Sequence, residues 1–213
     1  MTPLLRRLNL TAHVTSSVGW LGAVAAFLVL SIAAVRSADV DTVRGAYVAM
    51  NLVGLFAIVP LSVASLVTGI VQSLGTRWGL FRHYWVVSKL ALTVGATILL
   101  MLHQFTAVAG AARRVSETAA GVLPNVGRFG PQLVSDAALA LLVLLAATTL
   151  SVFKPWGRTP FGRRALAERS GTTAVSDGAQ VSTSTKIVLV VLLALAAAFV
   201  ALHLAGGGLH HGR

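Results

Sequence analysis

Five long apolar runs, set apart by shorter polar stretches, dominate the pattern of this chain. They cover residues 10–35, 46–74, 84–109, 134–153 and 187–205. A hydrocarbon core of ~30 Å needs about 20 helical residues to cross it, and each run meets or nearly meets that length. The first run follows Arg6 and Arg7 as a secretory signal would. It is longer than the apolar core of such a signal, about 7–15 residues, and ends in VRSADVDTVR without a small-residue cleavage site, so it reads as a retained span. The predicted fold is therefore all-α, a polytopic membrane helical bundle of five transmembrane helices. Residues 1–153 form a four-helix membrane bundle, 154–186 a basic cytoplasmic linker, and 187–213 a fifth helix with a short external tail.

The connections refine this picture. The turn around SADVDTVRG is short, which makes the first two spans antiparallel neighbours, as does GTRWGLFR for the second and third. The stretch AARRVSETAAGVLPNVGRFGP contains glycines and two prolines and is expected to be irregular or partly amphipathic, capping one end of the bundle. Residues 154–186 are basic and rich in Ser and Thr, as a tether would be. With the N-terminus cytoplasmic, inner segments hold ten Lys and Arg and outer ones six, leaving Lys89 aside, so the positive-inside rule predicts an inside N-terminus and an outside C-terminus.

Composition agrees. Of the 213 residues 56% are hydrophobic and 11% charged, with a mean hydropathy of +0.82, which marks an integral membrane protein in contact with a lipid bilayer. The formal charge of +11 would suggest nucleic acid in a soluble protein, but basic loops are ordinary in membrane proteins, and no nucleic-acid partner is expected. There is no cysteine, which excludes disulfides, thiolate metal sites and thiol catalysis. No P-loop, Gly-rich phosphate cradle or carboxylate pair at usable spacing supports a hydrolase, kinase or dinucleotide-binding reading.

Ionisable groups inside a span cost roughly 2.5–3.5 kcal/mol each on insertion scales, so each needs a partner, a cavity or a cofactor. His13 lies near the inner end of the first span and Lys89 about two turns into the third, at matching depth, with His83 nearer the water. His103 lies fourteen residues beyond Lys89, or ~21 Å of helix rise, and belongs to the other leaflet with His203. Asp136 opens the fourth span. Lys89, Thr93, Ala96, Leu100 and His103 share one helical stripe, His13, Ser17, Trp20 and Val24 another, and the second span offers Ser65, Thr68, Gly69 and Gln72, with a kink expected at Pro60. A buried imidazole whose other nitrogen is hydrogen-bonded is a good iron ligand, so His13 and His103 are candidate haem ligands. At opposite depths they would not share one iron, and the further axial partners would be Lys89 or His83 on one side and His203 on the other. An interhelical hydrogen bond for each histidine, a snorkelling Lys89, belt roles for Trp20, Trp78 and Trp85, and a solvated tail for His210 and His211 are the simpler alternatives.

Together, His13 and Trp20 in HVTSSVGW, Gly69 in SLVTGI, Trp85 and Lys89 in WVVSK, and His103 in LLMLHQ make residues 8–105 similar to HemJ-type protoporphyrinogen oxidases and copper-resistance D-like membrane proteins. The whole chain also resembles multi-pass membrane proteins of actinobacteria. The resemblance implies a small helical bundle that binds haem b, a haem-dependent oxidoreductase activity, and importance for a His on the first span and a Lys on the third, here His13 and Lys89. The run LGAVAAFLVLSIAAV after Trp20, the long linker and the fifth span depart from the family pattern. The resulting expectation is membrane electron transfer or oxidation of a lipid-soluble quinone or porphyrin, with Lys89 as the catalytic electrostatic partner and the chain acting alone, as a homo-oligomer or in a larger membrane complex. A cofactor-free transporter or regulatory protein and a structural subunit are the alternatives.

Overall fold

The computed structural model describes residues 2–75, 80–81, 83–153, 157, 159–160 and 163. Most of the linker 154–186 and all of the expected fifth span 187–205, with His203, His210 and His211, lie outside them. Six α-helices make up the described part: α1 (Pro3–Arg36), α2 (Val40–Val53), α3 (Val59–Leu74), α4 (Tyr84–His103), α5 (Ala109–Glu117) and α6 (Phe129–Phe153). Short π-helical turns, Gly54–Ile58 and Gln104–Val108, fuse α2 to α3 and α4 to α5. Four continuous helices long and apolar enough to cross a membrane result: Pro3–Arg36, Val40–Leu74, Tyr84–Glu117 and Phe129–Phe153. The protein is a membrane helical bundle.

The helices outrun the apolar runs because their ends carry helix-starting chemistry. Thr2 caps α1, its hydroxyl accepting from the Leu5 amide, and Pro3 sits in the first turn, where its missing N–H costs nothing. Asp39 caps α2: its carboxylate accepts from the Thr42 amide at 2.8 Å and the Thr42 hydroxyl at 2.6 Å. Those two bonds hold the Asp39 carboxyl below the usual carboxylate range. A lowered folded-state pKa means that the cap stabilises the fold at neutral pH and is lost as pH falls through that lowered value. The first connection thus shrinks to residues 37–39, and the second helix starts at Val40 instead of near residue 46. Likewise α6 starts at Phe129, with Pro131 in its first turn, so Asp136 sits two turns inside the helix and not at its opening. The stretch after 109, expected to be irregular or partly amphipathic, continues as α5, burying Ala111 and Val115 on one face.

At the hub is α1, which packs against α2, α3 and α6, whereas α4 packs against α3 and α6. Its buried face is Ser16, Trp20, Val24, Phe27, Ser31 and Ala34, a spacing of three and four that keeps one stripe inward. The serines let helices approach closely, and each satisfies its hydroxyl on its own helix, Ser16 on His13 O and Ser31 on Leu28 O, as Ser62 of α3 does on Val59 O. Arg44 extends from α2 to the carbonyls of Thr118 and Ala119, both at 2.6 Å, and so ends α5 with a positive charge on its last carbonyls.

The kink expected at Pro60 is taken up by the π turn just before it. Proline cannot donate to the helix ladder and its ring crowds the carbonyl four residues back, and the wider π turn relieves both. The two π turns face each other. A Cβ on Gly54, which opens the first, would overlap the carboxamide of Gln104, which opens the second, and Gln104 donates to Asn51 Oδ1 at 3.3 Å. Gly54→Ala should lower the stability of the purified protein by about 1–3 kcal/mol, the usual cost of overpacking. The double variant Gly54→Ala/Gln104→Ala should recover most of it in thermal unfolding in detergent, and failure to recover would show that the glycine serves the π turn itself.

Candidate functional site

Polar groups collect at two levels of the bundle. The first is near the end holding the N-terminus and the α3–α4 connection. There His13 of α1 places Nδ1 3.1 Å from both the Ser65 carbonyl and the Thr68 hydroxyl of α3, and Nε2 3.4 Å from Lys89 Nζ of α4. Thr68 already donates its hydroxyl hydrogen to Ala64 O at 2.6 Å, so Nδ1 carries the imidazole hydrogen and gives it to the Ser65 carbonyl. Nε2 is then bare and accepts from the Lys89 ammonium. Two cations 3.4 Å apart would repel by ~5 kcal/mol at an effective dielectric of ~20, so Lys89 carries the charge and His13 is neutral. Ser17 and Ser65 share a hydrogen bond of 2.8 Å, and Asn9 donates to Thr68 O. Gly69 makes room for the imidazole: a Cβ on it would stand 3.0 Å from His13 Cε1, and the ring would have to shift by a few tenths of an ångström.

His103 of α4 and Asp136 of α6 form the second level. His103 Nδ1 lies 2.9 Å from Leu99 O of its own helix, and Nε2 lies 3.1 Å from Asp136 Oδ2. With Nδ1–H directed at a carbonyl, Nε2 is the ring atom turned to Asp136, and the 3.1 Å approach sets an imidazole against a carboxyl group as an acid–base pair.

Between α1, α4 and α6, where α1 and α4 stand apart, lies a cavity of about 620 Å³, within the ~300–1,000 Å³ of small-molecule sites. Its wall is almost wholly apolar, with Trp20, Phe27, Leu92, Gly95 and Leu144 among the lining residues. His103 and Asp136 are its only titratable lining residues among the described ones. Trp20 is 2% exposed, and its indole N–H has no hydrogen-bond acceptor among the described residues.

The sequence-derived candidates therefore separate. His13 and Lys89 meet as their matching depths imply, and Ser65, Thr68 and Gly69 join them as their spacing suggests. Ala96, Leu100 and His103 of the Lys89 stripe line the cavity with Trp20, but His13 and Lys89 do not. His83 stands just before α4 and outside the cavity wall. His103 pairs with Asp136, a partner missed because Asp136 reads as a span edge; Pro131, a first-turn residue five positions earlier, was the signal that the helix begins sooner. His203 falls outside the described residues.

Whether these residues fit a haem can be read from their nitrogens. His103 faces the cavity, but both its ring nitrogens are engaged, so iron ligation would require Nε2 to leave Asp136. His13 has the Nδ1–H to carbonyl bond that orients metal-bound imidazoles, but its Nε2 faces Lys89 and the cavity does not reach it. The donor set does not fit haem iron in this arrangement. Among the described residues no group of three or more His, Cys, Asp and Glu could hold a metal ion.

The His103–Asp136 pair should be measurable by a double-mutant cycle. His103→Leu and Asp136→Leu should each destabilise the protein, and the double variant should cost less than the sum by about 1–2 kcal/mol, the range for polar contacts between membrane helices. Strictly additive losses in denaturant unfolding would mean that the two side chains do not interact.

No family model matches the chain, and neither does any curated protein or solved structure, so function rests on this geometry.

Proposed function

We propose that the protein binds a lipid-soluble molecule of the quinone or porphyrin class between its membrane helices and serves membrane oxidation–reduction, with the His103–Asp136 pair exchanging the proton that accompanies electron transfer. One observation carries this reading: an apolar interhelical cavity of about 620 Å³ whose wall holds a single acid–base pair. An apolar wall selects a molecule that already partitions into the bilayer, and an acid–base pair in it can give up a proton and take it back. An oxygen on the bound molecule would also give the Trp20 N–H the acceptor it lacks; a buried donor left unpaired costs about 1–3 kcal/mol.

The chain's own residues supply enclosure and the proton. Phe27, Leu92 and Leu144 exclude water from the cavity, Leu99 O fixes the tautomer and tilt of His103, and Asp136 holds the proton against Nε2. By the balance of basic residues, the N-terminus is cytoplasmic and the His103–Asp136 level belongs to the outer leaflet.

The first test is chemical extraction of the full chain purified in mild detergent, with mass spectrometry of what is released and a visible spectrum before and after reduction. A bound quinone or porphyrin is expected. Gly95→Phe should reduce it at least roughly tenfold, because Gly95 lines the cavity and a Cβ there meets no protein atom within 4 Å, so the ring is directed into the space the ligand needs. Absence of a bound molecule, together with no binding of an added short-tailed benzoquinone, would overturn the reading. A Soret band lost in His103→Ala would replace it with a haem protein in which His103 leaves Asp136. Topology is checked separately. As the chain has no cysteine, Ser37→Cys should react with an impermeant maleimide from outside intact cells, and Thr2→Cys only after lysis.

A further inference from the structure

Among the described residues no carboxylate balances the ammonium of Lys89. Asp39, Asp41, Glu117 and Asp136, the acidic residues among those described, all stand towards the opposite end of the bundle. Its contact within hydrogen-bond range is a neutral imidazole, which takes one of its three N–H groups. Lys89 and His13 are both only partly buried, so the pair is reachable from the seam where α1, α3 and α4 meet.

Depth decides which anion can come to it. α1 has 34 residues and is ~51 Å long against ~30 Å of hydrocarbon, which centred on the helix covers about residues 10–29. His13, and with it Lys89, then lies only ~5 Å inside the hydrocarbon edge. The phosphate layer is within reach of a lysine side chain from there. Arg6 lies seven residues before His13, on the same face of α1 about 10 Å nearer the terminus, and is exposed. Arg7 adds a second positive charge beside Arg6. A cation in a helix seam, at headgroup reach, with further basic residues above it, has the form of an anionic-lipid site.

From this juxtaposition we propose that the Lys89–His13 pair, at the seam of α1, α3 and α4, binds the phosphate of an anionic phospholipid in the adjacent leaflet. Lys89 supplies the charge through its remaining N–H groups. His13, locked by Ser65 and Thr68, holds the ammonium in place and is a positioning residue. The site is separate from the cavity, so this proposal stands or falls independently of the function proposed above.

The test is thermal unfolding of the full chain, delipidated in detergent, with added dioleoyl phosphatidylglycerol, dioleoyl phosphatidylcholine or inorganic phosphate. Phosphatidylglycerol should raise the midpoint by roughly 4 °C, and phosphatidylcholine by much less. Lys89→Met, an apolar replacement that a membrane helix tolerates, should lose most of the selective shift, whereas Lys89→Arg should keep it. His13→Phe should weaken the shift without abolishing it. An undiminished phosphatidylglycerol shift in Lys89→Met would overturn the proposal. So would an equal shift from inorganic phosphate at matched concentration, which would assign the site to a soluble anion, or equal shifts from both lipids.

Discussion

Hydrocarbon offers a polar side chain no hydrogen-bond partner, and the interior of this bundle is arranged around that constraint. Most of its hydroxyls resolve it locally. Ser16, Ser31, Ser62, Thr93 and Thr97 each return a hydrogen to a carbonyl three or four residues back, which makes them short, inert spacers that let helices close on one another. Left over are His13, Lys89, Asp136, Asn51, Gln104 and the second ring nitrogen of His103. These must find each other across helices, and their three meetings fix the register of α4 against α1, α6 and α2.

That register also explains the cavity. α1 is held closely by α2, α3 and α6, while α4 is held by α3 and α6. Lys89 reaches His13 across the opening between α1 and α4 at one end, and Gln104 ties α4 to α2 near the other, so the separation of α1 and α4 along the stretch between is bounded at both ends. Residues that face the gap on α4 are small or aliphatic, Ala91, Gly95 and Ala96 among them, and do not fill it. A gap lined in this way by hydrocarbon side chains is a solvent for lipid-soluble molecules and not for water. The acid–base pair in its wall is what separates it from a packing defect.

Much of this was legible in the sequence because membrane helices advertise themselves by length and hydropathy. Four spans, their antiparallel order and the meeting of His13 with Lys89 follow from apolar run length and helix rise alone. The helix ends were harder to read, since Asp39 and Pro131 act through capping chemistry that a hydropathy pattern does not register, and the misplaced start of α6 hid the His103–Asp136 pair. The π turns were not legible either. A π turn follows from a mutual fit, here a glycine on one helix against an amide on another, and neither residue signals it in isolation. Nor could the pattern say that His13 packs against Gly69 outside the wall of the cavity between α1, α4 and α6, because helical phase tells which way a side chain faces and not how much room it meets.

The two ionisable pairs illustrate opposite ways of keeping charge in a membrane. His103 and Asp136 can cancel one another, so the pair can line an apolar cavity without a further counter-ion. Lys89 and His13 cannot cancel, since both are bases, and the hydrogen-bond pattern around His13 leaves the whole charge on Lys89. A residual charge is tolerable only where an anion or water is near, and a ~30 Å hydrocarbon layer centred on α1 puts Lys89 about 5 Å from its edge. Moving Lys89 a further turn along α4 would strand its ammonium, and moving Asp136 to its level would quench it. The placement of one carboxylate thus decides which end of the bundle holds a compensated pair and which an uncompensated cation.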